Sequence, residues 1–174
     1  MANPRKFPIH EAAHAVIAIE LGVQVHYATS KLASDFPGRV EHGDATARQG
    51  AMIAMAGPMA AAMAANIEYN LDWACEFDEL WSFLRTLADE RGILLDSDNP
   101  SEERFQLQEL HNELASDVCM LLREHFACVD AVARELVAHR TLSGREIQNV
   151  VRWSSQRPSD ERSQRSMAGP QHAS

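Results

Sequence analysis

No stretch of this 174-residue chain comes near the roughly eighteen consecutive apolar residues that a membrane-crossing helix needs. The first residues also lack the apolar core of a secretory signal. The nearest thing to a long apolar run, Gly50 to Ala65, is built of alanine and methionine and reads as a buried helix. Cysteine is scarce: Cys75, Cys119 and Cys128 are odd in number and lack the paired spacing of a zinc knuckle, which argues against a disulfide framework and for reduced thiols. The compartment expected from these absences is the cytoplasm. Positive charge is scarce as well, with 16 Lys and Arg against 25 Asp and Glu and a formal net charge of -9. Between Glu68 and Asp117 only Arg85, Arg91 and Arg104 interrupt the acids, so no basic stripe is there to follow a phosphate backbone and a nucleic-acid partner is not expected. That acidity reads as a solvated helical surface, and it favours basic or neutral substrates over acidic ones.

What is present is a chain long enough for one domain with a substantial core, 45% hydrophobic by composition. Ten residues in stands His10-Glu11-Ala12-Ala13-His14, an H-E-x-x-H run. On a helix, positions i and i+4 share a face, so both imidazoles reach one metal ion while Glu11 approaches a metal-bound water from the side. A catalytic zinc takes three protein ligands and keeps a fourth position for water, whose pKa falls towards neutrality on coordination. The spacing therefore points to zinc-dependent amide hydrolysis and demands a third ligand from elsewhere. Pro8 suits a first helical turn, and no breaker follows before Gly22, which predicts a helix from about Phe7 to Leu21. Its apolar residues Ile9, Ala13, Val16, Ile17 and Leu21 wrap much of the circumference, so the helix should be buried with its histidines facing an interior cleft. Two buried histidines satisfied by backbone would not explain a carboxylate beside them, because an unpaired one is costly there.

Beyond that helix, Val23 to Thr29 alternates apolar and polar residues with β-formers and predicts a strand. The turn-rich Ser34-Asp35-Phe36-Pro37-Gly38 leads to Arg39-Val40-Glu41-His42, and the two segments suit a small hairpin. Asp44 or Thr46 caps a helix from about Ala45 to Ile67, where Gly57-Pro58 suggests a kink or a break. A helix from about Glu76 to Arg91 ends at Gly92. Asn99-Pro100 opens another that reaches His139, with or without a break near Phe126. Ser143-Gly144-Arg145-Glu146 matches a capping box and starts a helix to about Trp153. From residue 154 to Ser174 the chain is polar and rich in Ser and Arg, as expected of a disordered tail. The fold class is mainly α, of the α+β kind: a zincin-like helical domain over residues 1–153 with a small β element next to the H-E-x-x-H helix.

Several of these segments together resemble the peptidase domain of the FtsH-type ATP-dependent zinc metalloproteases. His10-Glu11-Ala12-Ala13-His14-Ala15-Val16 is similar to that family's H-E-A-G-H-A-V, with Ala13 in place of glycine. Ala51 to Ala62, with Ala56-Gly57, resembles its Leu/Ala-Gly-Gly-Arg helix, although Gly57-Pro58-Met59 replaces the Gly-Gly-Arg core. Val129 to Val151, with Ala133-Arg134-Glu135-Leu136 and Thr141-Leu142-Ser143-Gly144-Arg145-Glu146-Ile147, resembles its closing helix pair. The resemblance implies zinc held by His10, His14 and an Asp from a G-A-x-x-D segment. The best match for that segment, Ala74-Cys75-Glu76-Phe77-Asp78-Glu79-Leu80, nominates Asp78, with Asp72 and Glu76 as alternatives. Glu11 is then the general base, and the substrate is a polypeptide, received by edge addition to the Val23–Thr29 strand. His26 and His42 are candidates for polarising the oxyanion, or plain surface residues. The chain has no G-x-x-x-x-G-K-[ST] loop, so it would cleave segments already extended or borrow an unfoldase in trans. The family's hexameric ring contacts are not recognisable, so a monomer or small oligomer is as consistent. A dedicated protease of one regulatory protein, or a catalytically silent zincin-like adaptor, stands as the alternative to a general degrader.

Overall fold

Pro8 and the run of helix formers after it build α1 (Lys6–Glu20) in the computed structural model, which describes residues 6–30, 38–69 and 77–156. Gly22, at φ 76°, ends this helix in a Schellman turn: Val23 N–H donates to the Ala18 carbonyl at 2.8 Å and Gly22 N–H to that of Ile19 at 2.9 Å. The turn consumes Val23 and Gln24, so the first strand is shorter than the alternation suggested, β1 (Val25–Thr29). It pairs antiparallel with β2 (Arg39–His42), as the hairpin reading expected.

Thr46 caps α2 (Ala47–Ala65) in a reciprocal box with Gln49, whose side-chain amide also donates to the Leu21 carbonyl at 2.9 Å and so ties the start of α2 to the end of α1. Pro58 lies inside α2 without dividing it. Proline removes only the hydrogen bond that its own N–H would have made to Ala54, and a helix packed tightly along its length tolerates that loss. α3 (Phe77–Glu90) and the 40-residue α4 (Pro100–His139) follow, the latter capped by Asn99 and unbroken through Phe126. At 1.5 Å per residue α4 runs to roughly 60 Å, and Arg140 in the left-handed region stops it.

A third strand, β3 (Thr141–Ser143), was not expected from the sequence. It adds antiparallel to β1, giving the order β2-β1-β3. Ser143 then serves as N-cap of α5 (Gly144–Ser155), which extends two residues past Trp153. The domain is thus mainly helical with a small three-stranded antiparallel sheet beside the first helix. Of the tail expected over residues 154–174, Ser154 and Ser155 belong to α5, and residues 157–174 lie outside the described residues. Among the described residues no helix is long and apolar enough to cross a membrane.

The core forms where α1 lies against α2, α4, α5 and the sheet. Both α1 and α2 bury small residues, with Ala12, Ala13, Ala51, Ala56 and Ala60 fully enclosed. The larger side chains come chiefly from the other helices, with Leu84, Leu114, Leu122, Leu136 and Ile147 completely enclosed. On the outer face the acidic surface is partly compensated across helices. Arg85 pairs with Glu103 at 2.7 Å, Arg91 holds Glu113 in a two-pronged bond at 2.7 and 3.0 Å, and Arg48 pairs with Asp117. Cys119 and Cys128 are free thiols.

One buried titratable group stands apart from the first helix. His111 on α4 is 3% exposed, stacks on Tyr69 with ring centroids 5.9 Å apart, and has the Tyr69 hydroxyl 3.3 Å from Nε2 and Asn112 Oδ1 3.3 Å from Nδ1. Burial lowers its pKa below the ordinary 6.5, and the Asn112 hydrogen bond offsets part of that. The unfolded chain then takes up a proton near pH 6.5 that the folded protein binds only at lower pH. Stability from this group is complete above pH 6.5 and is lost as pH falls through 6.5 towards the depressed value. In equilibrium urea denaturation, His111→Gln should be less stable than wild type at pH 7 and should lose less stability between pH 7 and about pH 5.5. Equal slopes for the two proteins would contradict the assignment.

Candidate metal centre

The one-turn spacing of His10 and His14 brings their rings edge to face, with centroids 4.6 Å apart and planes at 79°. Two imidazoles sharing one zinc at 2.0–2.1 Å and a near-tetrahedral angle would have centroids about 5 Å apart, so the pair is already close to a chelating separation. His14 is 7% exposed and Glu11 4%, while His10 is half-buried. The helix therefore presents all three towards the protein interior, as its all-round apolar pattern predicted. A carboxylate this deeply placed is costly unless it is paired, hydrogen-bonded or next to a metal.

α2 supplies what surrounds the imidazoles. The Ile53 carbonyl lies 2.6 Å from His14 Nδ1, an arrangement in which that nitrogen carries the proton and donates it. The tautomer so set leaves the Nε2 lone pair for a metal, the outer-sphere orientation that ligating histidines ordinarily have. One turn on, Gly57 faces the same ring. A Cβ at that position would collide with His14 Nε2 and lie 2.8 Å from His10 Cδ2. The bare backbone thus keeps open the space in front of Nε2. Glu11 has a similar neighbour on the other side: Gly38, immediately before β2, leaves room for its carboxyl, which any side chain there would strike.

These features fit two zinc ligands and their orienting shell. Among the described residues no group of three His, Cys, Asp or Glu side chains is placed to hold a metal ion. Asp78 sits exposed on the first turn of α3 and is not brought into such a group. Asp72 and Glu76 lie outside the described residues. His26 is exposed on β1, and His42 on β2 places Nδ1 2.8 Å from the Gly43 carbonyl, so both serve the sheet locally.

The sheet order corrects one expectation. β1 cannot receive a peptide along its edge, because β2 occupies one side and β3 the other. The exposed β3 was hidden because three residues between a helix end and a capping box carry too little pattern to register as a strand. The edge next to Glu11 belongs to β2, which Gly38 leads into. Gly38 and Gly57 were also missed as site residues, since nothing in their local sequence shows that each faces a side chain of α1.

Purified protein stripped of metal and titrated with zinc against a chromophoric chelator should bind one equivalent. His14→Ala should weaken that binding by more than the roughly 10- to 100-fold that loss of an orienting neighbour costs. His111→Gln should leave it unchanged, and a His14→Ala variant that binds like wild type would exclude this centre. Compared with known proteins, the chain matches no family model and no curated sequence.

Proposed function

We propose that the chain is a zinc-dependent metallopeptidase, resembling the FtsH-type peptidase domain, that hydrolyses peptide bonds in extended or unfolded polypeptides. The observation that carries the reading is the His14 Nδ1 hydrogen bond to the Ile53 carbonyl, which directs the Nε2 lone pair towards the bare backbone of Gly57, on an α1 turn that also buries Glu11. A third ligand comes from the approach to α3, with Asp78, Asp72 and Glu76 as the candidates. Bound there, zinc supplies Lewis acidity to water and to the scissile carbonyl.

The chain's own residues do the rest. His10 and His14 hold the metal from one face of α1, and α2 holds His14 in the right tautomer. Glu11, one residue along from His10, takes the proton of the attacking water and returns it to the leaving amine, the acid–base exchange of a single carboxyl. Substrate enters as an added strand along the outer edge of β2, whose leading residue lies over Glu11. Main-chain hydrogen bonding of that kind reads sequence weakly and requires an extended chain, which suits unfolded substrates or delivery by an unfoldase in trans. Free thiols at Cys119 and Cys128 are in keeping with a reducing, cytoplasmic setting.

Glu11→Gln separates this reading from a silent metal-binding adaptor. The variant should keep its zinc and lose about 10²- to 10⁴-fold in cleavage of unfolded casein, followed by release of acid-soluble peptides. Undiminished cleavage would rule out the proposed mechanism, and zinc-loaded wild type without activity on casein or on proteins of a cell lysate would favour the adaptor. Asn at 72 or 78, or Gln at 76, identifies the third ligand as the one whose substitution lowers zinc affinity.

A further inference from the structure

We infer that two glycines divide the positioning of the site between them: Gly57 on α2 keeps clear the space in front of His14 Nε2, and Gly38 ahead of β2 keeps clear the space for the Glu11 carboxyl. The inference rests on the metallopeptidase reading and assigns separable roles within it. Neither glycine has a positive φ, so what each position demands is the absence of a side chain and not a left-handed backbone. Gly57 stands inside a helix rich in alanine and methionine, where glycine is the poorer helix former. Its presence there works against helix propensity and in favour of the imidazoles.

The two collisions differ in what can yield. His14 is held at its far side by the Nδ1 bond to Ile53, so its ring cannot swing from a methyl at position 57 without giving up that bond and its tautomer. Metal binding is then the property lost. At Gly38 the nearest three atoms to an added Cβ all belong to Glu11, namely Oε1, Cδ and Cγ. A methyl there displaces the carboxyl through its flexible stem and leaves the imidazoles where they are. Proton transfer is then the property lost, with metal binding intact. Gly50 provides the control. It lies on the same helix and is also crowded, but by the Phe83 ring, so a methyl there disturbs packing between α2 and α3 and not the site.

The experiment uses the full chain carrying Gly57→Ala, Gly38→Ala or Gly50→Ala. Zinc affinity is read by chelator competition, the metal environment by the visible spectrum of the cobalt-loaded protein, and turnover by kcat and KM on unfolded casein. Gly57→Ala should lose about tenfold or more in zinc affinity and alter the cobalt spectrum. Gly38→Ala should keep wild-type affinity and spectrum while kcat falls about a hundredfold with KM little changed. Gly50→Ala should melt at a lower temperature with wild-type zinc affinity. If Gly57→Ala does not fold, combining it with His10→Ala and His14→Ala removes both rings that a methyl at 57 meets and should fold as the double histidine variant alone does. Failure of that rescue, wild-type metal binding in Gly57→Ala, or wild-type kcat in Gly38→Ala overturns the inference. If wild type itself takes up no zinc, the metallopeptidase reading falls and this inference with it; if wild type binds zinc and cleaves while both glycine variants match it, the reading stands and only the inference falls.

Discussion

The hydrogen bond between His14 and the Ile53 carbonyl forms only because α1 and α2 approach closely, and much else in the molecule follows from that approach. Two helices can bring a ring nitrogen of one to a main-chain carbonyl of the other when the side chains between them are short. Gly57 meets that condition on α2, where a Cβ would strike the His14 and His10 rings, and small side chains are buried along both helices. Small residues bury little apolar area each. The larger buried side chains come chiefly from α3, α4 and α5, of which α4 and α5 pack on α1 while α3 packs on α2 and α4.

α4 connects the two ends of this arrangement. Its C-terminus is bound to the end of β1, where Ser30 N–H donates to the Arg140 carbonyl at 2.8 Å and Ser30 Oγ to that of Leu136 at 3.0 Å. β3 leaves directly from that junction and pairs back onto β1, with Leu142 buried opposite Ala28. β2 and β3 are the two edges of the sheet, and Gly38, which leads into β2, lies against Glu11 of α1. A strand edge is ordinarily a hazard to a soluble chain. Here it is short, carries Arg39 and Glu41, and lies where an extended peptide would be useful.

Elements whose limits are set by local chemistry were legible in the sequence. Gly22 ended α1, Thr46 with Gln49 and Ser143 with Glu146 opened α2 and α5, and Asn99-Pro100 opened α4, because each feature satisfies backbone groups within a few residues of itself. The histidine pair was legible for the same reason, since one helical turn fixes its separation. Features that depend on a distant neighbour were not. α2 passes through Pro58 because α1 supports it, and β3 exists because β1 offers it an edge. Propensity describes what a segment prefers alone, and these two outcomes were decided by what it packs against.

Ala13 shows how a departure from a family pattern has to be judged by its surroundings. In the sequence it stands between the two histidines where FtsH-type peptidases have glycine, and a methyl there would be expected to tighten the metal site. In the fold Ala13 is fully buried within the hydrophobic core. At Gly57 and Gly38, both far from the H-E-x-x-H run in sequence, an added methyl would meet His14 and Glu11. Close packing leaves no slack at either place, because interior atoms already sit at contact distance and an added carbon must displace something. What it displaces decides the consequence. On the proposed reading, against a ring fixed through Nδ1 the consequence falls on metal binding and against a flexible carboxylate it falls on proton transfer, so two glycines of the same size would constrain two different properties of one site.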